Sequence, residues 1–305
     1  MNVLKVLQQV AILIILIFAA INVSAQRGQI KSFSKLVWAD EFDYTGYPDT
    51  SKWQYEQGFV RGTESQLYTK QRIENAKVEN GCLIITARKE KYSNPVFLKN
   101  KGSGKSTQYP SKYEGVLHDS IPPSVRNKFD SVAEYTSASL ITIGKASWTY
   151  GKLEVKAKLP EGKGLWPAIW MMGINRSEVG WPQCGEIDVM EHVGKDPPHV
   201  YATVHYKDNQ TGKRVKNGSK VKSNDLAKSF HIYSVKWDST SIQFSFDDHV
   251  YHTFEIDQAG KGLDNPFRKP FYLLINLALG GSWGGPIDDA ALPETFTIDY
   301  VRFYQ

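Results

Sequence analysis

The chain has few cysteines and little excess charge, and each shortage excludes a class of protein. Only two cysteines, Cys82 and Cys184, occur among 305 residues, which excludes a small scaffold held by several disulfides. Whether these two pair with each other or remain free thiols stays open. The formal net charge of +5 is small and dispersed, whereas a nucleic-acid-binding protein needs a concentrated basic face. We therefore expect no nucleic-acid partner.

Long apolar runs are also absent, except at the start of the chain. Residues 10–21 form an almost unbroken apolar run after Lys5, and Val23-Ser24-Ala25 offers small residues for cleavage before Gln26. This pattern is typical of a secretory signal peptide over residues 1–25, and the run is short for a membrane span. No cysteine directly follows the cut to carry a lipid. We expect a secreted or periplasmic protein that is free of the membrane after cleavage; an uncleaved anchor is the alternative.

Helical periodicity is scarce in the rest of the chain. Residues 152–159 and 242–246 alternate strictly between apolar and polar side chains, which is the period of a strand. Only residues 225–230 suggest a turn or two of helix. Further strands are expected at 83–87, 139–143, 201–206, 271–277 and 295–303. Many short strands separated by turn residues predict an all-β protein, an antiparallel β-sandwich, in a single domain over residues 26–305.

One segment interrupts this pattern. Residues 91–131 are polar, carry Gly and Pro, and show no clear periodicity. A loop of this length inside a compact domain is usually functional or mobile. We interpret it as a loop insertion, and whether it is decorative or functional remains open.

Three carboxylates, Glu186, Asp188 and Glu191, fall within six residues. In a regular strand Glu186 and Asp188 share a face and Glu191 points the other way. A β-bulge at Val189 or Met190 would return Glu191 to the face of Asp188. Carboxylates held this close raise at least one pKa, so that a protonated acid and an ionised carboxylate coexist near neutral pH. The alternative is a solvated strand face with ordinary surface acids.

Aromatic residues are abundant, with 8 Trp and 16 Tyr. Several of them, Trp166, Trp170 and Trp283 among them, stand near glycines in sequence. Flat aromatic rings stack on the C–H faces of sugars, while carboxylates and amides meet the hydroxyl groups. This combination favours a groove that binds a polysaccharide.

The acid cluster resembles the signature of glycoside hydrolase family 16 in its longer form, ExDxxE. Blocks at residues 38–42, 64–69, 134–138, 166–173, 276–281 and 298–302 resemble its laminarinase-like, endo-β-1,3-glucanase branch. The resemblance covers about residues 33 to 305. It implies a concanavalin A-like β-jelly-roll sandwich with an open cleft across its concave sheet. It further implies an endo-acting enzyme that cleaves the β-1,3 bonds of laminarin-type β-glucan with retention of configuration and without a catalytic cofactor, and we expect a monomer.

The resemblance also assigns roles to individual residues. Glu186 matches the nucleophile and Glu191 the general acid/base, while Asp188 would hydrogen bond to the nucleophile or share a proton with it. For His205, a structural role is the alternative. The residues expected to bind substrate are Glu64, Asn75, Trp166, Trp170, His205, Asn276 and Trp283.

The resemblance further implies a structural calcium ion on the convex side, held by oxygen atoms of Glu41, Gly81 and Asp299. Calcium is a hard cation that takes oxygen ligands, so these residue types suit it. The alternative for Asp299 is an ordinary surface charge.

Two features bear on the substrate. The shorter ExDxE form is found in licheninases, which favour mixed-linkage glucan, while agarases, porphyranases and carrageenases share the longer form. Binding of sulfated galactan would need arginines at the cleft, and no arginine cluster surrounds these motifs in the sequence. Ser139 stands where many laminarinases have arginine, so we expect one guanidinium contact to be missing. The remaining alternatives are a mixed-linkage glucanase, a galactan hydrolase and a non-enzymatic β-glucan-binding protein.

Overall fold

The computed structural model describes residues 33–61, 63–117 and 120–305, and residues 33–305 form one compact unit. The predicted signal peptide at residues 1–25 lies outside the described residues. Within the described part of the chain, no helix is long and apolar enough to cross a membrane.

Two sheets build the fold. The first sheet has the strand order β15 (His249–Glu255), β14 (Ser241–Phe246), β13 (His231–Trp237), β8 (Gly151–Lys158), β17 (Glu294–Tyr304), β5 (Cys82–Ser93), β6 (Val132–Ser137) and β3 (Leu67–Tyr68). Two strands lie off this path: β1 (Leu36–Asp40) pairs with β17, and β4 (Ala76–Glu79) pairs with β5. The second sheet has the order β12 (Arg214–Lys222), β11 (His199–Lys207), β10 (Glu186–Glu191), β9 (Leu165–Gly173), β16 (Phe271–Leu279), β7 (Ser139–Ile141) and β2 (Gln54–Tyr55).

The all-β sandwich predicted from the sequence is confirmed, and each predicted strand overlaps an observed one. The core lies between the two sheets, because side chains alternate along each strand. Ile169 and Met171 of β9 pack in the same cluster as Leu153 and Val155 of β8. The opposite face of the second sheet is therefore left to carry polar side chains.

The turn or two of helix predicted at residues 225–230 is a single turn that does not continue into a helix. This segment is a turn in which the N–H groups of Lys228 and Ser229 donate to the carbonyl of Asp225. Only Leu226 and Ala227 are apolar before Phe230, too few to form a packed helical face. The helices are α1 (Pro95–Gly102), α2 (Pro123–Phe129), α3 (Arg176–Val179) and α4 (Gly281–Gly284), and short 3₁₀ segments cover Ser111–Tyr113, Ile256–Ala259, Pro266–Arg268 and Asp289–Ala291.

Residues 91–131, called the insertion below, are more ordered than their sequence suggested. Strand β5 continues to Ser93, and the insertion then forms α1, a 3₁₀ turn and α2 before β6 begins at Val132. No residue of α1 is buried, which explains why this helix leaves no apolar period in the sequence.

The two cysteines do not pair. Cys82 is partly buried and Cys184 is buried, and both are free thiols. Burial raises the pKa of Cys184 to about 11, so its thiol is protonated and unreactive at neutral pH.

Candidate active site

The bulge predicted in the acidic strand is confirmed by the register of β10. Against β11, Asp188 pairs with Thr203 and Glu191 with Tyr201. Glu191 is therefore three residues after Asp188 on β10, whereas their partners on β11 are only two residues apart. Val189 and Met190 both belong to the main core. Glu186, Asp188 and Glu191 instead line a cleft on the outer face of the second sheet. The extra residue thus brings all three acids to one surface.

The cleft has a volume of about 570 Å³. Its lining combines aromatic rings, carboxyl groups and guanidinium groups from several strands and loops. The lining residues are Val60, Arg61, Glu64, Trp166, Ala168, Trp170, Met172, Arg176, Trp181, Glu186, Asp188, Glu191, Arg214, Asn276 and Ala278.

Glu186 is held at one end of the acidic strand. Trp181 donates its indole N–H to Oε2 of Glu186 over 2.8 Å, and Nε2 of His205 lies 3.8 Å from Oε1. Burial raises the pKa of Glu186, whereas the nearby His205, the Trp181 hydrogen bond and the charge of Arg214 oppose the rise. These three groups favour the ionised carboxylate.

Asp188 is 3% exposed and lies between the two glutamates. Burial, the charge of Glu186 and a hydrogen bond with Glu186 raise the pKa of Asp188 well above its ordinary value. A carboxyl in this environment keeps its proton and donates it in a hydrogen bond. Asp188 and Glu186 therefore share one proton, with the charge residing on Glu186.

His205 contacts Asp188 from the neighbouring strand. Nε2 of His205 lies 3.2 Å from Oδ2 of Asp188, while Nη2 of Arg214 lies 3.3 Å from Nδ1. Burial lowers the pKa of His205. Because a guanidinium can only donate, Nδ1 must accept and the proton of the neutral ring is on Nε2.

Glu191 lies at the other end of the bulge. Trp166 donates its indole N–H to Oε1 of Glu191 over 3.1 Å. Burial is the main cause that raises the pKa of Glu191 well above its ordinary value, and the negative charge shared by the Asp188–Glu186 pair raises it further. Glu191 can therefore hold a proton near neutral pH while Glu186 is ionised, which is the division of roles needed for acid catalysis.

The predicted aromatic residues fall into two groups. The ring of Trp283 on α4 lies 5.1 Å from that of Trp166 and 5.2 Å from that of Tyr201, in edge-to-face contacts beside Glu191. Trp170 is only 7% exposed and donates its indole N–H to Asn276 over 2.8 Å. Trp170 and Asn276 thus form part of a fixed floor, while Trp166 and Trp283 form an aromatic rim.

Glu64 and Asn75 were both expected to reach substrate, and the structure separates them. Glu64 lines the cleft, and burial raises its pKa. Asn75 is fully buried and does not line the cleft. Its amide donates to the Thr86 carbonyl and to Thr136, and its oxygen accepts from Thr69 and Arg72. These four bonds explain why the side chain is turned away from the cleft.

Among the lining residues that were not assigned to the site from the sequence, four carry guanidinium or indole groups: Trp181, Arg61, Arg176 and Arg214. The sequence has no arginine cluster around the motifs, and the inference from this that the cleft lacks arginines is wrong. These arginines come from the loop before β3, the start of α3 and the start of β12, so only strand pairing brings them together. Trp181 stands five residues before Glu186 in the sequence. This proximity was the one sequence feature that could have placed Trp181 in the site.

The guanidinium expected to be missing at Ser139 is supplied from another segment. Nη2 of Arg61 lies 3.4 Å from Oγ of Ser139, and Arg61 also forms an ion pair with Glu56. The guanidinium lies over the Trp170 ring, 5.0 Å from its centroid.

The proposed calcium ligands meet where β1, β5 and β17 converge. Asp40 pairs with Val301 and Leu83 with Ile298, which places Glu41, Gly81 and Asp299 at neighbouring register positions. Both oxygens of Glu41 accept from Arg302 over 2.8 Å, and Asp299 forms an ion pair with Lys156 at 2.6 Å.

Within the described residues, one group of three side chains has the spacing of metal ligands: Glu186, Asp188 and His205, whose ligand atoms lie within 4.8 Å of one another. Burial raises the pKa of Asp188. A carboxyl group binds a metal ion in its deprotonated form, so this environment disfavours a metal ion at these three residues.

Residues 64–302 match the model of the family described as Glycosyl hydrolases family 16. The chain belongs to glycosyl hydrolase family 16. The beta-glucanase of Rhodothermus marinus is 37% identical over 100% of this chain and 97% of its own length. The X-ray structure of the Rhodothermus marinus laminarinase has a TM-score of 0.71 at 36% identity, covering 91% of this chain and 99% of its own. The keratan-sulfate endo-1,4-beta-galactosidase of Sphingobacterium multivorum is 31% identical over 89% of this chain and 55% of its own length.

Proposed function

We propose that this family 16 hydrolase is a retaining endo-β-1,3-glucanase that cuts laminarin-type β-glucan. The observation that carries the proposal is the bulged strand β10, which presents Glu186, Asp188 and Glu191 together at the floor of a cleft with an aromatic rim. Retaining glycosidases use two carboxyl groups roughly 5 to 5.5 Å apart, one as nucleophile and one as acid and then base. The likeness to a beta-glucanase and a laminarinase supports a glucan as substrate.

In the first step an oxygen of Glu186 attacks the anomeric carbon of the bound sugar. The glycosidic C–O bond breaks, and Glu191 gives its proton to the leaving oxygen. The hydrogen bond from Trp181 and the charge of Arg214 keep Glu186 ionised and oriented. The high pKa of Glu191 keeps its proton available until the leaving group takes it.

In the second step water attacks the same carbon. Glu191, now a carboxylate, takes a proton from this water, and the ester bond to Glu186 breaks. Asp188 donates its hydrogen bond to Glu186 and so stabilises the carboxylate as it leaves. Glu186 and Glu191 return to their starting protonation states, and no cofactor is needed.

The decisive experiment compares Glu186→Gln with Glu178→Gln, which removes an exposed acid on α3. We expect Glu186→Gln to lose reducing-sugar release from laminarin while still binding laminari-oligosaccharides, and Glu178→Gln to hydrolyse normally. NMR of the first product should show the β-anomer. Normal turnover by Glu186→Gln would exclude the assignment.

A second candidate, a hydrolase of anionic galactan, is favoured by one observation. Arg61, Arg176 and Arg214 all line the cleft, and guanidinium groups bind sulfate in a bidentate manner. One of the proteins similar to this chain is named as a keratan-sulfate endo-1,4-beta-galactosidase. One purified sample assayed on laminarin, lichenan, agarose, carrageenan and keratan sulfate separates the candidates, and release from keratan sulfate alone would replace the first proposal.

The calcium site remains part of the proposal. The main-chain oxygens of Glu41 and Gly81, with the carboxylate of Asp299, form an oxygen-only set that suits calcium. The ion would tie β1, β5 and β17 together, and Asp299 would have to turn from Lys156 to bind it. Thermal unfolding with calcium and with a chelator tests this site, and an unchanged Tm argues against it.

The proposal has three further parts: secretion after cleavage at Ala25, a single catalytic domain over residues 26–305, and a monomeric state. N-terminal sequencing of exported protein and light scattering of the purified enzyme test the cleavage and the monomeric state.

A further inference from the structure

The insertion is closed at its base and forms a unit. Asn94 donates to the carbonyls of Asp130 and Asn127, at 2.9 and 3.3 Å. Its Oδ1 accepts from the backbone of Val96 and Phe97 and caps α1. Both ends of the insertion are thereby tied together, so α2 has a defined place on the sandwich.

Helix α2 lies against residues 58–61 and 63–64, which are called the cleft wall below. Arg126 is fully buried, its guanidinium lies 4.8 Å from the centroid of the Phe59 ring, and it donates to the main-chain carbonyl of Glu64. At Gly58, where φ is +95°, an added Cβ would collide with Oδ1 of Asn127. The backbone of the cleft wall and the side chains of α2 are therefore in direct contact.

The cleft wall carries two residues that border the cleft, Arg61 and Glu64. The guanidinium of Arg61 lies over Trp170 and Tyr68, 5.0 and 5.4 Å from the ring centroids. Glu56 holds it from one side, and Glu56 is itself fixed by a 2.6 Å hydrogen bond from Ser139. The Arg61 side chain is 17% exposed, so part of this firmly held side chain borders the cleft.

We propose that the insertion belongs to the substrate-binding apparatus: Arg126 fixes the cleft wall so that Arg61 covers Trp170 and packs against the glycan unit bound there. Arg61 is the residue that contacts substrate, and Arg126 is a positioning residue that acts through it. The inference deepens the proposed function and rests on it, because it concerns how the same cleft holds its glycan.

The chemistry of the two arginines supports this division of roles. Glu56 and Ser139 engage Nη2 of Arg61, and Nε and Nη1 are buried, so the guanidinium meets a glycan by packing and charge. Stacking on Trp170 fixes its plane, so little conformational freedom remains to be lost when a sugar binds. Arg126 is enclosed and acts on the cleft through the cleft-wall residues that it contacts, Phe59 and Glu64.

The test is a double-mutant cycle of Arg61→Met and Arg126→Met, with Lys128→Met as the matched control on the exposed face of α2. KM and kcat are measured on the glycan that the wild type hydrolyses best, together with Tm. We expect each arginine variant to raise KM about fivefold, the effect of losing a contact worth about 1 kcal/mol. The change in kcat should be smaller, and Lys128→Met should match the wild type.

In the Arg61→Met background, Arg126→Met should raise KM no further, because its effect passes through Arg61. Additive effects, or an Arg126→Met variant with a lower Tm and an unchanged KM, would overturn the inference. If Arg126→Met does not fold, Arg126→Lys replaces it in the same cycle. Since the substrate is chosen by wild-type activity, a failure to hydrolyse laminarin counts against the proposed glucanase function alone.

Discussion

Arg214 approaches Nδ1 of His205 at 3.3 Å and thereby fixes which nitrogen of that ring carries the proton. The proton is on Nε2, which faces Asp188 at 3.2 Å. Arg214 also lies 4.4 Å from the centroid of the Trp181 ring, and Trp181 donates to Glu186. One arginine on β12 therefore contacts both groups that hold the acid pair in place.

Replacing Arg214 should move the acid limb of the pH profile. The positive charge lowers the pKa of Glu186 and Asp188, so Arg214→Gln raises both. Since the nucleophile acts when ionised, the rise of kcat/KM with pH should begin at higher pH. Arg214→Lys should keep most of the wild-type limb, and Lys222→Gln, an exposed cation at the end of the same strand, serves as the control. An unmoved acid limb in Arg214→Gln would contradict the prediction.

Replacing Trp166 should move the alkaline limb. Its hydrogen bond lowers the pKa of Glu191 by stabilising the ionised form. Trp166→Phe removes this bond and keeps an aromatic ring, so the pKa of Glu191 rises further. The fall of kcat/KM with increasing pH should then occur at higher pH, whatever the loss of overall activity. A shift of the alkaline limb to lower pH would show that the limb reports another group.

Replacing Glu191 should stabilise the protein at neutral and alkaline pH. The pKa of Glu191 is higher in the folded than in the unfolded chain, so the folded state binds the proton more tightly. Stability is therefore full below the ordinary carboxyl pKa and is lost as pH rises through the raised value. We expect Glu191→Gln to exceed the wild type by roughly 1 to 3 kcal/mol at pH 8.

Urea unfolding at several pH values measures this difference, which should vanish at about pH 4, where both states of the wild type hold the proton. A constant difference across this range would indicate that the effect of Glu191→Gln comes from packing and not from its charge.

Asn75 should prove structural. Asn75→Ala removes a buried amide that joins β4 to β5 and β6 and leaves its partners unsatisfied. We expect a loss of about 1 to 3 kcal/mol in the free energy of unfolding, with KM of the folded enzyme unchanged. Urea unfolding measures the loss of stability, and steady-state kinetics measure KM. An increase in KM at unchanged stability would show that Asn75 binds substrate.

The sequence was informative wherever the determining contacts are local. Alternation within β8 and β14 predicted strands, and the spacing of Glu186, Asp188 and Glu191 predicted the bulge, because each pattern is contained in one strand. Arg61 stands more than a hundred residues before Arg176 and Arg214 in the sequence, and the three meet only through the pairing of separate strands. No local sequence pattern shows which strands pair, so the three arginines were not predicted to line the cleft.

The helices of the insertion also could not be predicted from a local sequence pattern. Helix α1 buries no residue, and α2 is anchored by the cation Arg126 instead of an apolar face. A periodicity of apolar residues could detect neither. Asn75 was misplaced for a related reason: its position in a matching motif says nothing about whether its amide faces the cleft or the interior.

The bulge in β10 also determines which genetic changes can alter the active site. A substitution at Val189 or Met190 changes packing in the core but leaves the count of residues between Asp188 and Glu191 as it is. Only the in-frame loss of one codon would restore a regular strand with its three acids on one face. The spacing of these acids is therefore robust to point mutation, and any lineage that changed it had to accept the loss of a buried side chain in the same event.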